Sequence, residues 1–399
     1  FPLCCPSRTS LWTGRMPRRH HVLGNWRAIR PDLREAGLGR AFKDAGYHTM
    51  YTGKWHVPGT TPAAMGFDDT AAIPAVLDGR DRGRYIESYR EYARAHGYDL
   101  VPGHIENLTP ADVASLHDPA SPHRATAEIP LEHYLETWQT GEFLRAFDRR
   151  PDDRPWLAVC AFNAPHFPMV VPRPYDRLID RDKVRLPDSF FSGTATLPRE
   201  VRESKFATKF ADLDEEGWIE VIAHYLGLVA LADRQVGRIL ERLKATGEFD
   251  RTIVVFTTDH GDLMGAHRLM EKGHLLHYEE ALRIPLLVRH PIEDGQPGLG
   301  GRHRRHGRRA RGSPLARGGR RHLLRAHARC VASGADQGAR HRRDRALRDG
   351  SGRERRVRRS PHVGRVPGRD QPVGAHAVVA LRLPLARHRR VVRPPGRSR

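Results

Sequence analysis

The chain has 399 residues and a formal net charge of +21, but residues 301–399 hold 30 Arg, no Lys and 5 acidic side chains, a net of +25, which leaves residues 1–300 at −4. The excess charge therefore belongs to the last quarter and does not mark the body as a nucleic-acid binder. Four scattered cysteines exclude a disulfide framework, and no run approaches the roughly 20 apolar residues of a membrane span.

Residues 1–15 read as a short apolar entry, a turn and the start of a helix. Residues 31–46 place Leu33, Ala36, Leu38, Ala41, Phe42 and Ala45 at helical spacing and stop at Gly46. Residues 47–52 read as a strand, and 84–96 and 132–149 as charged helical stretches. Residues 156–162 have the length of a buried strand, in which Cys160 is a small apolar core residue. The clearest helix covers 218–244, with apolar or small residues at 218, 222, 225, 229, 232, 236, 239 and 243 forming one stripe. Residues 251–258 and 284–288 read as further strands. Strands alternating with helices predict an α/β fold with a mainly parallel sheet, whose reactive groups gather beyond the strand C-termini. Polar clusters follow Thr52, Phe162 and Thr258.

The pattern breaks near residue 297. From 301 onward there is no Phe, Trp, Tyr, Ile, Met, Lys, Asn or Thr, and Leu plus Val fill 16 positions. So little apolar material does not offset an ordering entropy of about 1–2 kcal/mol per residue. The expected organisation is a catalytic body over 1–296 and an Arg-rich tail over 297–399. The tail reads either as disordered or as a GC-rich gene translated out of frame, and the joint dominance of Arg, Gly, Ala, Pro and His favours the second. Its contact with nucleic acid would be electrostatic and non-specific.

Four clusters carry chemistry. The first is Cys4-Cys5-Pro6-Ser7-Arg8, continuing to Thr13-Gly14-Arg15. A vicinal Cys4–Cys5 disulfide is the competing structural reading, disfavoured by strained geometry. The second is Gly53-Lys54-Trp55-His56; alone, a strand-end Lys and His are often just solvated. The third is Asn163-Ala164-Pro165-His166-Phe167-Pro168, which alone reads more simply as a Pro-bounded loop with a satisfied His. The fourth is Thr258-Asp259-His260-Gly261-Asp262, followed by His267 and Lys272.

Together, in this order and spacing, the clusters resemble the sulfatase family, the formylglycine-dependent type I enzymes of the alkaline-phosphatase-like superfamily. The resemblance covers about residues 1–295. It implies an alkaline-phosphatase-like sheet flanked by helices, and hydrolysis of sulfate esters through a formylglycine hydrate made from Cys4. Arg8 would hold the anionic hydrate. Lys54 would stabilise hydrate and sulfuryl oxygens, with His56 as base toward the second hydroxyl. His166 would protonate the leaving oxygen, and Lys272 would contact sulfate. A divalent metal, expected to be calcium, would be held by Asp259, His260 and the modified Cys4, although calcium prefers oxygen ligands. Asp262 and His267 would order the loop, and Glu279 and Arg283 would be structural.

The family's opening strand, with the two adjacent acidic residues that complete the metal site, is expected upstream of Phe1, and its loss would leave a gap in the sheet; Asp68-Asp69 comes too late to replace it. The family's C-terminal subdomain is expected to be absent or corrupted. The implied partners are a sulfated small molecule or sugar and a formylglycine-generating enzyme. Residues 60–150, the expected pocket wall, carry no pattern that selects among sugar, aryl and choline esters. Two alternatives are a phosphonate or phosphodiester hydrolase of the same superfamily and an inactive fragment. The absence of paired cysteines leans toward the bacterial cytoplasm, while an export signal upstream stays open.

Overall fold

A computed structural model describes residues 1–70, 87–101, 108–119, 122–291 and 376–382, all within one compact unit. The elements that position the site are α1 (Cys4–Thr13), β1 (His48–Gly53), β2 (Arg124–Thr126), α2 (Leu135–Arg149), β3 (Trp156–Ala161), β4 (Met169–Val171), α3 (Glu215–Ala245), β5 (Thr252–Thr258), β6 (Leu286–Arg289) and β7 (His376–Arg382). Five strands form one sheet in the order β1-β3-β7-β5-β6, and β2 pairs with β4.

The expected α/β fold is borne out. β1 and β3 are parallel, with Gly53 opposite Ala161, and β7 runs antiparallel to both β3 and β5. Strands β1, β3 and β5 therefore point the same way, and their C-terminal ends share one edge. β6 runs against them because its first residue, Leu286, pairs with Thr257 at the end of β5. The intervening segment leaves and re-enters at the same edge, so the strand it feeds must be antiparallel.

Both sheet faces are covered. On β3, Trp156, Ala158 and Cys160 meet Phe143 and Phe147 of α2 and Val236, Ile239 and Leu243 of α3. The alternate residues Leu157, Val159 and Ala161 join Cys5 and Trp12 of α1 with Tyr51 and Trp55. This period of two, apolar on both faces, marks a central strand. Cys160 is a buried thiol, as read from the sequence. Cys4 and Cys5 are thiols too, so the vicinal disulfide is not formed.

Three local expectations shift. The helical reading of 31–46 divides into a short turn at Pro31–Leu33 and a helix at Leu38–Asp44. Gly37 lies between them, and a Cβ there would come within 2.8 Å of the Trp12 carbonyl oxygen, so close packing sets the break. α3 is buried well beyond a single stripe: Val221, Ala223, Leu228 and Leu231 are buried as well, because β4 and α2 flank it. Most of the Arg-rich tail lies outside the described residues, but His376–Arg382 within it forms β7 and departs from the expected lack of structure. β7 lies between β3 and β5 and pairs with the facing backbone groups of both strands. Residues 71–86, 102–107 and 120–121 of the expected pocket wall lie outside the described residues. Among the described residues no helix is long and apolar enough to cross a membrane.

Candidate active site

The helix α1 begins on the nucleophile candidate itself. Leu3 is the extended N-cap residue and Cys4 the first helical residue. Pro6 falls in the first turn, where its missing N–H breaks no helical bond. The sequence reading placed a turn before the helix; the helix instead starts at Cys4, so the side chain sits where exposed N–H groups favour negative charge.

The other clusters lie beyond the strand ends. At the end of β1, Gly53 has φ 95°, and a Cβ there would come within 2.2 Å of the Ala161 oxygen and 2.3 Å of Gln139 Nε2. Only glycine lets β1 turn so close to β3 and α2. The Lys54 N–H then donates to the same Ala161 oxygen at 2.8 Å. His56 holds a left-handed φ of 53°, a sparsely populated conformation for a residue with a Cβ. After β5, the Thr258 hydroxyl donates to the His260 oxygen at 2.6 Å and fixes the turn that presents Asp259 and His260.

At the centre, Cys4 Sγ lies 3.2 Å from His260 Nε2. His260 Nδ1 donates to the Gly261 oxygen at 2.8 Å, which aims Nε2 at the sulfur. His56 and His166 also reach the Cys4 side chain. His166 Nδ1 donates to the Phe167 oxygen at 2.6 Å, leaving Nε2 for Cys4. Arg8 donates from Nε to Asp259 Oδ2 and from a terminal nitrogen to the Lys54 oxygen, both at 2.7 Å. The Ser7 hydroxyl donates to the Asp259 main-chain oxygen, and the Tyr51 hydroxyl to the Lys54 oxygen at 2.6 Å. Arg8 thereby ties the first, second and fourth clusters together. Lys272 Nζ lies 4.0 Å from Asp262 Oδ2.

Apart from half-buried Ser7 and His166 these residues are buried, and the charges set the protonation states. Burial would raise the Cys4 thiol, but Lys54 and His260 outweigh it and hold Cys4 well below the usual thiol range. Burial would also raise Asp259, yet Arg8 and His260 hold it low. His260 is raised against burial by Asp259 and Cys4, and Lys272 against burial by Asp262 and Cys4. Burial lowers Lys54 and His56. Burial, with Lys272 and Lys54 alongside, lowers His166 to about 3, so it rests neutral. The site concentrates positive charge around one reactive side chain, which suits an anionic substrate.

Cys4, Asp259 and His260 offer ligand atoms within 4.8 Å of one another. Arg8 occupies Asp259 Oδ2, while Oδ1 is buried without a hydrogen-bond partner. One carboxylate oxygen, one imidazole nitrogen and the side chain at position 4 fit part of a divalent-cation site. They fall short of the six or more oxygens calcium takes. Asp68 does not help: it is committed to Lys43 at 2.6 Å and to the Thr49 hydroxyl at 3.0 Å.

The structure thus brings Cys4, Arg8, Lys54, His56, His166, Asp259, His260 and Lys272 into one place. Asp262 faces Lys272, and the His267 main-chain N–H donates to the Ser189 hydroxyl oxygen at 3.2 Å. Sequence reasoning gave Ser7 no role beyond its place in the first cluster, and missed Tyr51, Glu136 and Gln139. Glu136 falls at helical spacing with Thr140, Phe143 and Phe147 on the buried side of α2, which is the signal that could have singled it out.

A family model described as Sulfatase matches residues 2–309. The chain is 28% identical over 297 residues to the uncharacterized sulfatase YidJ of Escherichia coli (strain K12), covering 73% of this chain and 54% of that protein. It is 26% identical over 317 residues to an arylsulfatase of Clostridium perfringens, covering 73% of this chain and 59% of that protein. The chain therefore spans little more than half the length of these relatives. Among solved structures, the phosphonate monoester hydrolase SpPMH from Silicibacter pomeroyi aligns with a TM-score of 0.57 at 25% identity, covering 72% of this chain and 58% of that one.

Proposed function

The chain belongs to the sulfatase family, and from that premise we propose that it supplies the catalytic centre of an enzyme that hydrolyses sulfate esters through the oxidised side chain of Cys4. The observation that carries the reading is the ring of buried Lys54, Lys272, His56 and His260 with half-buried His166 around one side chain at a helix N-terminus. Oxidation of Cys4 to formylglycine by a formylglycine-generating enzyme would supply a hydrated aldehyde, with one hydroxyl to attack sulfur and a second whose deprotonation releases sulfate.

The chain's own residues do the rest. Lys54 and Lys272 meet the sulfuryl oxygens and offset their developing charge, the kind of preorganised electrostatics that supplies the largest catalytic term. Arg8 fixes Asp259, so its free oxygen keeps one orientation. Because His166 rests neutral, its acid role needs a proton first. Nε2 takes it from the attacking hydroxyl and passes it to the departing oxygen, and the substrate's negative charge raises its affinity for that proton. His56 accepts the proton of the second hydroxyl. Asp259, His260 and position 4 would hold a divalent cation, which would neutralise charge on a sulfate oxygen. The substrate is a sulfated small molecule or sugar.

A second reading, phosphonate monoester hydrolysis at the same centre, is favoured by the fold likeness to SpPMH at 25% identity. Two measurements test the proposal. Peptide mass spectrometry of the segment containing Cys4 should show an aldehyde in place of the thiol when the protein is made beside a maturation enzyme. Turnover should be faster on an aryl sulfate than on the matching aryl phosphonate. A retained thiol with normal turnover would overturn the nucleophile, and the opposite rate order would favour the phosphonate reading.

A further inference from the structure

Glu136 is a buried acid, 2% exposed, in the first turn of α2. Its partners are main-chain N–H groups. Ala164 N–H donates to Oε1 at 2.8 Å, and Asn163 N–H also donates to the carboxylate. Burial raises its pKa to about 7 against those bonds and the favourable charge of Lys54. Keeping an acid in such a place costs stability, so its shape must do something an amide does not. In its ionised form the carboxyl has two oxygens and only acceptors for these N–H groups, whereas an amide offers one oxygen and puts a donor in place of the other.

Those two N–H groups open the loop that carries His166. The His166 ring is steered by its bond to the Phe167 oxygen, so the ring follows the loop's path. Glu136 and His166 also line the same small cavity, together with Asn163 and Tyr134. One turn along α2, Gln139 donates to the Ala161 oxygen at 3.1 Å, the oxygen that also receives the Lys54 N–H. The start of α2 therefore grips the main chain of two catalytic loops without touching the reacting atoms.

We propose that Glu136 is a positioning residue for proton transfer to the leaving group: its carboxylate holds the 163–164 main chain so that His166 Nε2 faces position 4. The catalytic part of this inference rests on the sulfate-ester reading above, while the geometric part does not. A residue that positions the acid should matter most where the leaving oxygen needs a proton. The test is Glu136→Gln, which keeps the volume, with Glu136→Asp as the variant that keeps the acceptors. Each is assayed in the full chain on an alkyl sulfate and on 4-nitrophenyl sulfate. For Glu136→Gln the expected loss in kcat is about 10–10²-fold on the alkyl ester and smaller by about threefold or more on the nitrophenyl ester, which still needs the proton taken from the attacking hydroxyl but not its delivery to the leaving oxygen, with KM little changed. Glu136→Asp should recover part of the loss. Equal losses on both esters, or none, would overturn the proposal.

A second readout is independent of turnover. The His166 imidazole nitrogen signals, assigned by their loss in His166→Gln, should move in Glu136→Gln. Unmoved signals would overturn the positioning. If the parent protein failed to hydrolyse any sulfate ester, the functional reading would fall and this NMR comparison would still decide the role of Glu136.

Discussion

Cys4 and Cys160 are the same residue in equally dry surroundings, 1% and 0% exposed, yet their thiols are pushed in opposite directions. In the middle of β3, burial raises Cys160 to about 12, and the nearby Gln139 amide does little to offset it. At the start of α1, Lys54 and His260 reverse the effect of burial on Cys4. Cys5, one residue along the same helix, is raised by burial and by the neighbouring Cys4 charge. Reactivity here is a property of a spot one side chain wide, created by charges that three distant loops bring to the strand ends. Burial by itself disfavours the thiolate and does not make a nucleophile.

The largest expected effect tests that contrast directly. Cys4→Ala should reduce sulfate-ester turnover by about 10³-fold or more, the scale seen when a nucleophile is removed. Cys160→Ala should change turnover less than about twofold and show instead as a stability loss on the order of 1–2 kcal/mol in denaturant unfolding. Comparable activity losses in the two variants would break the distinction.

Next comes the pair beneath Cys4. Arg8 and Asp259 form a salt bridge at 2.7 Å with side chains 3% and 2% exposed. Arg8→Ala would strand the carboxylate, so the expected destabilisation is about 3–5 kcal/mol. The exposed pair Arg199–Glu203, at 2.8 Å with side chains 75% and 61% exposed, has a comparable distance and should contribute less than about 1 kcal/mol. Urea unfolding of Arg8→Ala and Arg199→Ala measures both. If the two variants cost the same, the charges around position 4 are not buried as described.

The four clusters were legible because each is a contiguous run whose residue types have few other uses together. The long helix α3 was legible because eight apolar positions keep helical spacing. What escaped the sequence depends on long-range contact. Glu136 was one charge in a stretch read only as a charged helix, and the strand ends packed against α2 make it an internal acceptor. The break at Gly37 follows from the approach of Trp12, which no local pattern announces. The β7 segment was hidden inside an Arg-rich composition, although His376–Arg382 contains two adjacent β-branched residues, Val378 and Val379. His166 was identifiable as a site residue, but its neutral resting state comes from burial and two lysines at other positions in the chain.

The smallest expected effect sharpens the comparison through two histidines packed against α1. Near the catalytic end, Asp259 and Cys4 raise His260. Against the opposite part of the helix, His20 is buried, no carboxylate among the described residues offsets that burial, and it falls to about 4. Its Nδ1 accepts the Val22 N–H at 3.1 Å, and its Nε2 lies 3.0 Å from the Ser10 hydroxyl, which itself donates to the Pro6 oxygen at 2.8 Å. That arrangement admits a proton on Nε2 and none on Nδ1. An unfolded chain would take up the second proton near the ordinary value of 6.5, and the folded chain only near 4. Between those values the unfolded state binds more protons, so this group's contribution is fully present above about pH 6.5, declines as pH falls toward 4 and is flat below. His20→Gln can still accept from Val22 and donate to Ser10 but cannot titrate. Its urea midpoint should therefore lose part of the wild-type slope across that window, on the order of 1 kcal/mol, with little change at neutral pH. An unchanged slope in the variant would mean that the proton is taken up elsewhere and that His20 is not the counterpart of His260.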